Sequence, residues 1–322
     1  MNRLSNPQAG KKMVLMGNEA IARGAIEAGV KVVAAYPGTP SSEIVEVLLE
    51  CSKDLGFYAE WSVNEKISFE VSTGASLMGV RALTALKGAG LNVIMDMLMT
   101  IPYTGIRGGF LLVVADDPGA HYSSNEQDSR IAAQWANLLC LEPENHQEAK
   151  EMAKVAFEIS ERLEMPVILR SATRLSHCSG VVEMGDVKPS DMVPGFNKHF
   201  KLPYRWNVYG PPGTERKHAW QLAQLPAMRN EAECSPFTQV NEGKSPVAII
   251  SCGLGAAYSR EAVRILGEEK NIWFVKVGTP YPIPSEKLLP VLRSCKKVLV
   301  VEDGDPLMET QLRVLAQQHG LP

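Results

Sequence analysis

Tyr36-Pro37-Gly38-Thr39-Pro40-Ser41-Ser42-Glu43-Ile44 is the stretch on which the reading of the fold turns. An apolar run over 30–35 stops in a Gly/Pro turn bearing hydroxyl side chains, and a helical pattern starts directly behind it. Strand, short polar turn and helix in that order form the repeating unit of a parallel α/β sheet, whose ligands gather at the carboxyl ends of the strands. Glu60-Trp61-Ser62-Val63-Asn64-Glu65-Lys66 repeats the unit, with a carboxylate in the first turn of the helix.

Working outward, 17–180 alternates helical and strand-like segments at short spacing, which predicts a mostly parallel, doubly wound sheet. Helices are expected over 18–27 with Asn18 as N-cap, behind Ser41 or Ser42 with Ile44, Val45, Leu48 and Leu49 on one face, behind Asn64, over 91–103 and over 146–163. Strands are expected over 30–35, 57–61, 81–86, 110–115 and 167–170, the apolar run at 110–115 being of the kind covered on both faces. Between 180 and 245 the texture changes to Pro, Gly and charged residues, including Gly210-Pro211-Pro212-Gly213, and only 215–231 has helical character. The expected organisation is therefore a first α/β domain over 1–180, an extended linker over 181–245 that wraps a surface, and a small α/β domain over 246–322. In the last, strands are expected over 247–252, 272–277 and 298–302, and helices over 256–268, 285–295 and 307–318.

With 322 residues, 45% of them hydrophobic, the chain is long enough for two cores and is neither disordered nor fibrous in composition. A net charge of −3 with scattered basic residues gives no reason to expect nucleic acid or an anionic membrane as partner. No apolar run approaches the roughly 18 residues of a membrane span, and the polar N-terminus does not read as a signal peptide, so a cytoplasmic location is expected. Cys51, Cys140, Cys178, Cys234, Cys252 and Cys295 lie far apart without a C-x-x-C, which reads as reduced thiols and builds no local zinc or iron–sulfur site. Metal centres for electron transfer would lie on other polypeptide.

Glu65 is the best catalytic candidate, because a carboxylate behind a buried strand can sit beneath a bound ligand; alone, it would equally serve the helix dipole. Thr39 and Ser41, a hydroxyl turn at a helix N-terminus, form a small anion site, with Ser41 or Ser42 also the N-cap. Asn92, His121, Asn125 and Gln127 are polar side chains at the ends of apolar segments, equally readable as site or as solvated loop. Asp116, Asp117 and Asp128 lack the second acidic cluster that a metal site needs. Gly253-x-Gly255 follows a strand without the remaining features of a dinucleotide fingerprint, and Gly304-Asp305 is followed by Pro306 rather than by a metal-binding continuation.

Five motifs in register carry a resemblance. Gly17-Asn18-Glu19-Ala20-Ile21-Ala22-Arg23-Gly24-Ala25, Tyr36 to Ser42, Trp61 to Lys66, Gly90-Leu91-Asn92-Val93 and Ala115 to Gly119, with Ser123 to Asp128, resemble the alpha chain of indolepyruvate:ferredoxin oxidoreductase and its arylpyruvate relatives, in the 2-oxoacid:ferredoxin oxidoreductase family. The match runs from Gly17 to about Gly180 and resumes at Arg205-Trp206 and at 300–302. The resemblance implies a pyrimidine-binding domain of the thiamine diphosphate fold, a linker and a domain like the C-terminal domain of transketolase. It implies that Glu65 hydrogen-bonds the aminopyrimidine and drives the imino tautomer, that Thr39 and Ser41 face the 2-oxoacid carboxylate, and that Asn92, His121, Asn125 and Gln127 line the cavity near cofactor and substrate.

The implied reaction is oxidative decarboxylation of an arylpyruvate to an acyl-CoA and CO₂, with coenzyme A as co-substrate and ferredoxin as acceptor. Mg²⁺, diphosphate binding and 4Fe–4S clusters are expected on partner chains or domains, since relatives continue beyond the position of Pro322 into such segments. A phenylglyoxylate-type or other multi-subunit 2-oxoacid oxidoreductase is the alternative enzyme, and a non-catalytic scaffold of an electron-transfer complex the alternative of another class. One departure is visible: relatives commonly carry His beside the residue matched by Lys87, where this chain has Gly88.

Overall fold

Phe110–Asp116 is buried at every position, and a strand with no solvent face belongs in the middle of a sheet with helices on both sides. The computed structural model describes residues 2–6, 9–187 and 190–321. In chain order the first unit comprises β1 (Lys12–Met16), α1 (Gly17–Glu27), β2 (Val32–Ala35), α2 (Ser42–Leu55), β3 (Tyr58–Trp61), α3 (Glu65–Leu77), β4 (Ala82–Lys87), α4 (Leu91–Thr104), β5 (Phe110–Asp116), α5 (Ser129–Ala136), β6 (Cys140–Leu141), α6 (His146–Leu163), β7 (Val167–Ala172), α7 (Thr173–His177) and β8 (Ser179–Glu183). The connecting segment holds α8 (Thr214–Ala223), α9 (Leu225–Cys234) and β9 (Gln239–Asn241). The second unit follows with β10 (Val247–Cys252), α10 (Gly253–Ile265), β11 (Trp273–Val277), α11 (Ser285–Ser294), β12 (Lys297–Val301) and α12 (Leu307–Gln318).

The first sheet is parallel, in the order β3-β2-β4-β5-β7-β6. From β2 the chain winds outward to β3 and then jumps back across β2 to β4. The carboxyl ends of β2 and β4 are thus a topological switch point, where connections leave in opposite directions and open a crevice. Helices α2 and α6 pack on α1, and α3 and α5 pack on α4, giving one helix group for each face. The second sheet has the order β12-β10-β11-β9, with β9 alone antiparallel, around a core that includes Ile250, Val275, Val277, Leu288 and Met308.

Several expectations are corrected at the local level. Asn18 is not an N-cap: α1 opens one residue earlier, with Glu19 Oε2 accepting from Met16 N–H at 2.9 Å, and Asn18 is fully buried. Ser41 holds the N-cap position of α2, as expected, but its side chain makes no capping bond. Ser41 Oγ donates to Gly38 O at 2.8 Å and Ser42 Oγ accepts from Gly38 N–H at 2.9 Å, so both hydroxyls close the turn instead. The helical stretch at 215–231 is two helices, because Pro226 at the start of α9 has no N–H to continue α8. Strand β1 pairs antiparallel with β8, from Lys12 opposite Glu183 to Met16 opposite Ser179, a long-range ribbon without a local pattern.

The two units are joined by backbone and charge. Cys140 N–H donates to Tyr281 O at 2.8 Å and Glu142 N–H to Gly278 O at 3.0 Å. Lys276 of β11, fully buried, reaches Glu148 of α6 at 2.6 Å and Phe237 O at 2.7 Å; burial lowers its pKa, opposed by Glu148. Arg205 anchors the connecting segment. Its Nε donates to Thr104 O at 2.9 Å, Nη1 pairs with Glu164 at 2.6 Å, and the guanidinium lies over the rings of Phe200, Trp206 and Trp220 at 5.2, 4.9 and 5.3 Å.

Candidate active site

Three strand ends meet at the switch point. Behind β3, Asn64 Oδ1 accepts from Ile67 N–H at 2.9 Å, and this cap starts α3 at Glu65. Behind β4, Gly88–Gly90 forms a 3₁₀ turn that leads into α4. A Cβ placed on Gly90 would lie 2.8 Å from Glu65 Oε1, so the bare glycine is what lets the carboxylate rest against the β4 turn. Behind β2, a Cβ on Gly38 would stand 3.2 Å from the side-chain carbons of Lys87. Glu65 is half-buried, Asn92 is exposed in the first turn of α4, and Thr39 is exposed on the adjoining turn. Ser41 differs: it is 1% exposed and its hydroxyl is held by Gly38 O.

His121, Asn125 and Gln127 lie one strand further along, on the loop behind β5, with His121 and Asn125 exposed and Gln127 half-buried. This loop faces the second unit. His121, Glu126, Thr173, Arg174, Tyr258 and Asp303 are among the residues lining a cleft of about 440 Å³ between the carboxyl ends of the two sheets.

Behind that cleft sits a buried charge cluster. Arg170 Nε donates to Asp116 Oδ2 at 2.8 Å, Nη1 to Glu142 Oε1 at 2.5 Å and Nη2 to Asp303 O at 2.8 Å. Arg130 holds Asp128 with Nε at 2.9 Å and Nη2 at 2.5 Å, and reaches Glu302 at 3.0 Å and Asp305 O at 3.0 Å. Glu302 in turn accepts from Met308 N–H at 2.9 Å and Glu309 N–H at 3.0 Å at the start of α12. Burial would lower Arg170, but the charges of Glu142, Asp116 and Asp128 outweigh it and hold the guanidinium protonated. Burial likewise favours the neutral form of Asp128, and its bonds to Arg130 with the charge of Arg170 reverse the sign, so its pKa is lowered. For Asp116 burial wins over Arg170 and the pKa is raised.

The cluster assigns the acidic residues that tempt a metal reading. Asp116 and Asp128 are spent on arginines, and Asp117 takes Thr173 Oγ1 at 2.6 Å and Tyr122 N–H at 2.6 Å. Among the described residues, no three His, Cys, Asp or Glu side chains are grouped to hold a metal ion. Gly253-x-Gly255 also gains a use: a side chain at Gly253 would collide with Glu142, and one at Gly255 would stand 2.8 Å from Val301 O. Gly88 matters in the same way, since its Cβ would lie 2.9 Å from Asp116 Oδ1, a buried oxygen without a partner. Arg130, Glu142 and Arg170 carry no local sequence signal for these roles; only the assembled fold brings them together.

Comparison with known proteins adds the family. Residues 23–245, more than half of the chain, match the family described as "Pyruvate flavodoxin/ferredoxin oxidoreductase, thiamine diP-bdg". Indolepyruvate oxidoreductase subunit IorA of Pyrococcus horikoshii is 45% identical over 310 residues, covering 95% of this chain and 48% of the relative. Its counterpart in Archaeoglobus fulgidus is 42% identical over 327 residues, covering 99% of this chain and 52% of the relative. The chain thus spans about half the length of these curated relatives. Among solved structures, 2-oxoglutarate:ferredoxin oxidoreductase from Magnetococcus marinus superposes with a TM-score of 0.77 at 20% identity, over 94% of this chain and 60% of that one. A split-gene transketolase superposes with a TM-score of 0.61 at 16% identity, over 94% and 85%. These likenesses agree with the thiamine diphosphate-binding fold and the transketolase-like second unit expected from the sequence. The chain belongs to the thiamine diphosphate-binding family of pyruvate flavodoxin/ferredoxin oxidoreductases.

Proposed function

We propose that this chain supplies the pyrimidine half-site of a thiamine diphosphate-dependent 2-oxoacid oxidoreductase that acts on an arylpyruvate of the indolepyruvate type. The observation that carries the reading is the Glu65 carboxylate at the switch point of the sheet, lying against the glycine turn Gly88–Gly90. The residues present fit the pyrimidine end of the cofactor: a half-buried acid at a helix start, a turn that meets it with the bare Gly90, and Asn92 on the same rim. Bound there, thiamine diphosphate would supply the carbon nucleophile that adds to the 2-oxo group.

In this reading Glu65 exchanges a proton at a carboxylate oxygen with the ring nitrogen of the pyrimidine, which a carboxamide cannot do. The Thr39 turn, at the N-terminus of α2, orients the substrate carboxylate with its hydroxyl and backbone N–H groups. Ser41 acts through the shape of that turn, given its bond to Gly38 O. His121, Asn125 and Gln127 close the substrate side from the loop behind β5. Diphosphate, Mg²⁺ and 4Fe–4S clusters are assigned to other polypeptide of the same complex, with coenzyme A as acyl acceptor, ferredoxin as electron acceptor and the cytoplasm as location. The indolepyruvate reading is supported by the relatives at 40–45% identity. None of the helices among the described residues is long and apolar enough to cross a membrane.

Glu65→Gln in the assembled complex is the test. Turnover of indolepyruvate should fall at least about a hundredfold, the usual range for a proton-transfer group, with the complex still assembled. Full activity of the variant would defeat the proposal.

A further inference from the structure

Asn18 is fully buried, and its side-chain amide is committed in two directions. Nδ2 donates to Pro40 O at 2.7 Å and to Glu43 Oε2 at 2.7 Å. Pro40 is the middle of the Thr39–Ser42 turn, and Glu43 is in the first turn of α2. Asn18 itself has little freedom to move. Gly17 N–H donates to Cys178 O at 3.1 Å, and any side chain at Gly17 would collide with Leu175 O, so the start of α1 is pinned against α7. Pro40 O therefore has a fixed donor beneath it.

The connection continues beyond Glu43. Its Oε2 lies 3.5 Å from His177 Nε2, a buried nitrogen with no hydrogen bond of its own. The His177 ring meets Tyr122 edge-on, with centroids 5.7 Å apart and planes at 63°. Tyr122 stands next to His121 in the loop behind β5 and is tied to the sheet by its N–H to Asp117 Oδ2 at 2.6 Å. Four side chains thus join the turn behind β2 to the loop behind β5.

We infer that Asn18 is a positioning residue: it sets the backbone of the Thr39–Ser42 turn and, through Glu43, His177 and Tyr122, holds that turn in register with the His121–Gln127 loop. The inference deepens the proposed function and rests on its reading of both segments as substrate-binding. A carboxylate held between them is recognised only when the spacing of the two segments is kept, since displacements of an ångström are costly in a site of this kind. Loss of the Asn18 amide leaves a buried carbonyl oxygen and a carboxylate without their donor, and the turn relaxes to find another.

Amide hydrogen exchange on the full chain tests the positioning without reference to any reaction. Asn18→Ala and Asn18→Asp should each speed exchange about tenfold in 38–44 and also in 121–127, with Asn18→Asp at least as severe, because it keeps the volume but has no N–H to give. His177→Phe keeps a ring against Tyr122 and should loosen the loop while leaving the turn at the parent rate. An Asn18→Asp chain that exchanges like the parent, or acceleration confined to the turn in both Asn18 variants, would overturn the inference; should Asn18→Ala fail to fold, the isosteric variant decides. In the assembled enzyme, Asn18→Asp should raise KM for the arylpyruvate about tenfold with kcat within about threefold. A drop in kcat at unchanged KM would overturn the link to substrate. Absence of arylpyruvate turnover by the unmodified complex counts against the proposed function alone, and the exchange data still judge the positioning.

Discussion

One sheet ends in two kinds of carboxylate. Glu65, behind β3, is half-buried against a glycine turn, with exposed Trp61, Val63 and Ile67 around it. Asp116, the last residue of β5, and Asp128, behind it, are buried and paired with Arg170 and Arg130, and the second unit lies over them. The difference teaches that position at a strand's carboxyl end does not by itself make an acid chemical. What matters is whether the fold supplies a buried cation: where it does, the acid holds two domains together, and where it does not, the acid stays half-exposed.

The comparison breaks most sharply at Arg170. Arg170→Met leaves Asp116 buried without its cation and Glu142 with Arg130 alone, 3.8 Å away, and should cost about 4 kcal/mol, read from urea unfolding, because removing one partner of a buried ion pair strands the other. A loss below about 1 kcal/mol would mean that the cluster is not what joins the units.

Asp128→Asn is the milder cut, expected at about 2 kcal/mol for the loss of charge-assisted bonds to Arg130. Its pH dependence has a definite sign. Folded Asp128 has a lowered pKa, so between the folded and unfolded values the unfolded chain binds more protons and stability rises with pH. The gap between parent and variant should therefore be full above about pH 4 and close as pH falls through the folded value. Asp116, whose pKa burial raises, contributes with the opposite sign, so Asp116→Asn should not reproduce that profile.

At the open end, Gly90→Ala is the sharpest small probe. Gly90 has φ −66° and ψ −22°, which alanine adopts without strain, and the atoms nearest the added methyl are all of Glu65. Stability should hold or rise by up to about 1 kcal/mol from the stiffer unfolded chain. Turnover of the assembled enzyme should fall about tenfold, or about 1.4 kcal/mol in the barrier. Equal losses in both would make Glu65 a structural acid like its neighbours.

Much of the architecture was legible because periodicity and boundary residues agree in the long elements. His146–Leu163, Val247–Cys252 and Leu307–Gln318 have the bounds the pattern predicts, and Asn64 caps α3 as expected. What escaped was short or joined at long range: α5 has eight residues, β6 has two, and β9 has three, all exposed. β1 is defined by a partner more than 160 positions away. The contact of Glu65 with the β4 turn needed the sheet order, although Glu65 itself stood out. Asn18 shows the limit best, since a polar residue at a helix start reads as a cap and only tertiary structure reveals that its amide serves another turn.

The guanidinium of Arg205 has a mechanical consequence. It grips Thr104 O at the last turn of α4, while the first turn of the same helix continues directly from Gly88–Gly90. Helix α4 is thus a strut clamped at one end by an aromatic vice and pressing at the other on the turn beneath Glu65. A slip of one residue along its axis, about 1.5 Å, would have to tear the guanidinium from its carbonyl. The height of the floor under the acid is gauged fourteen residues away, at the other end of α4.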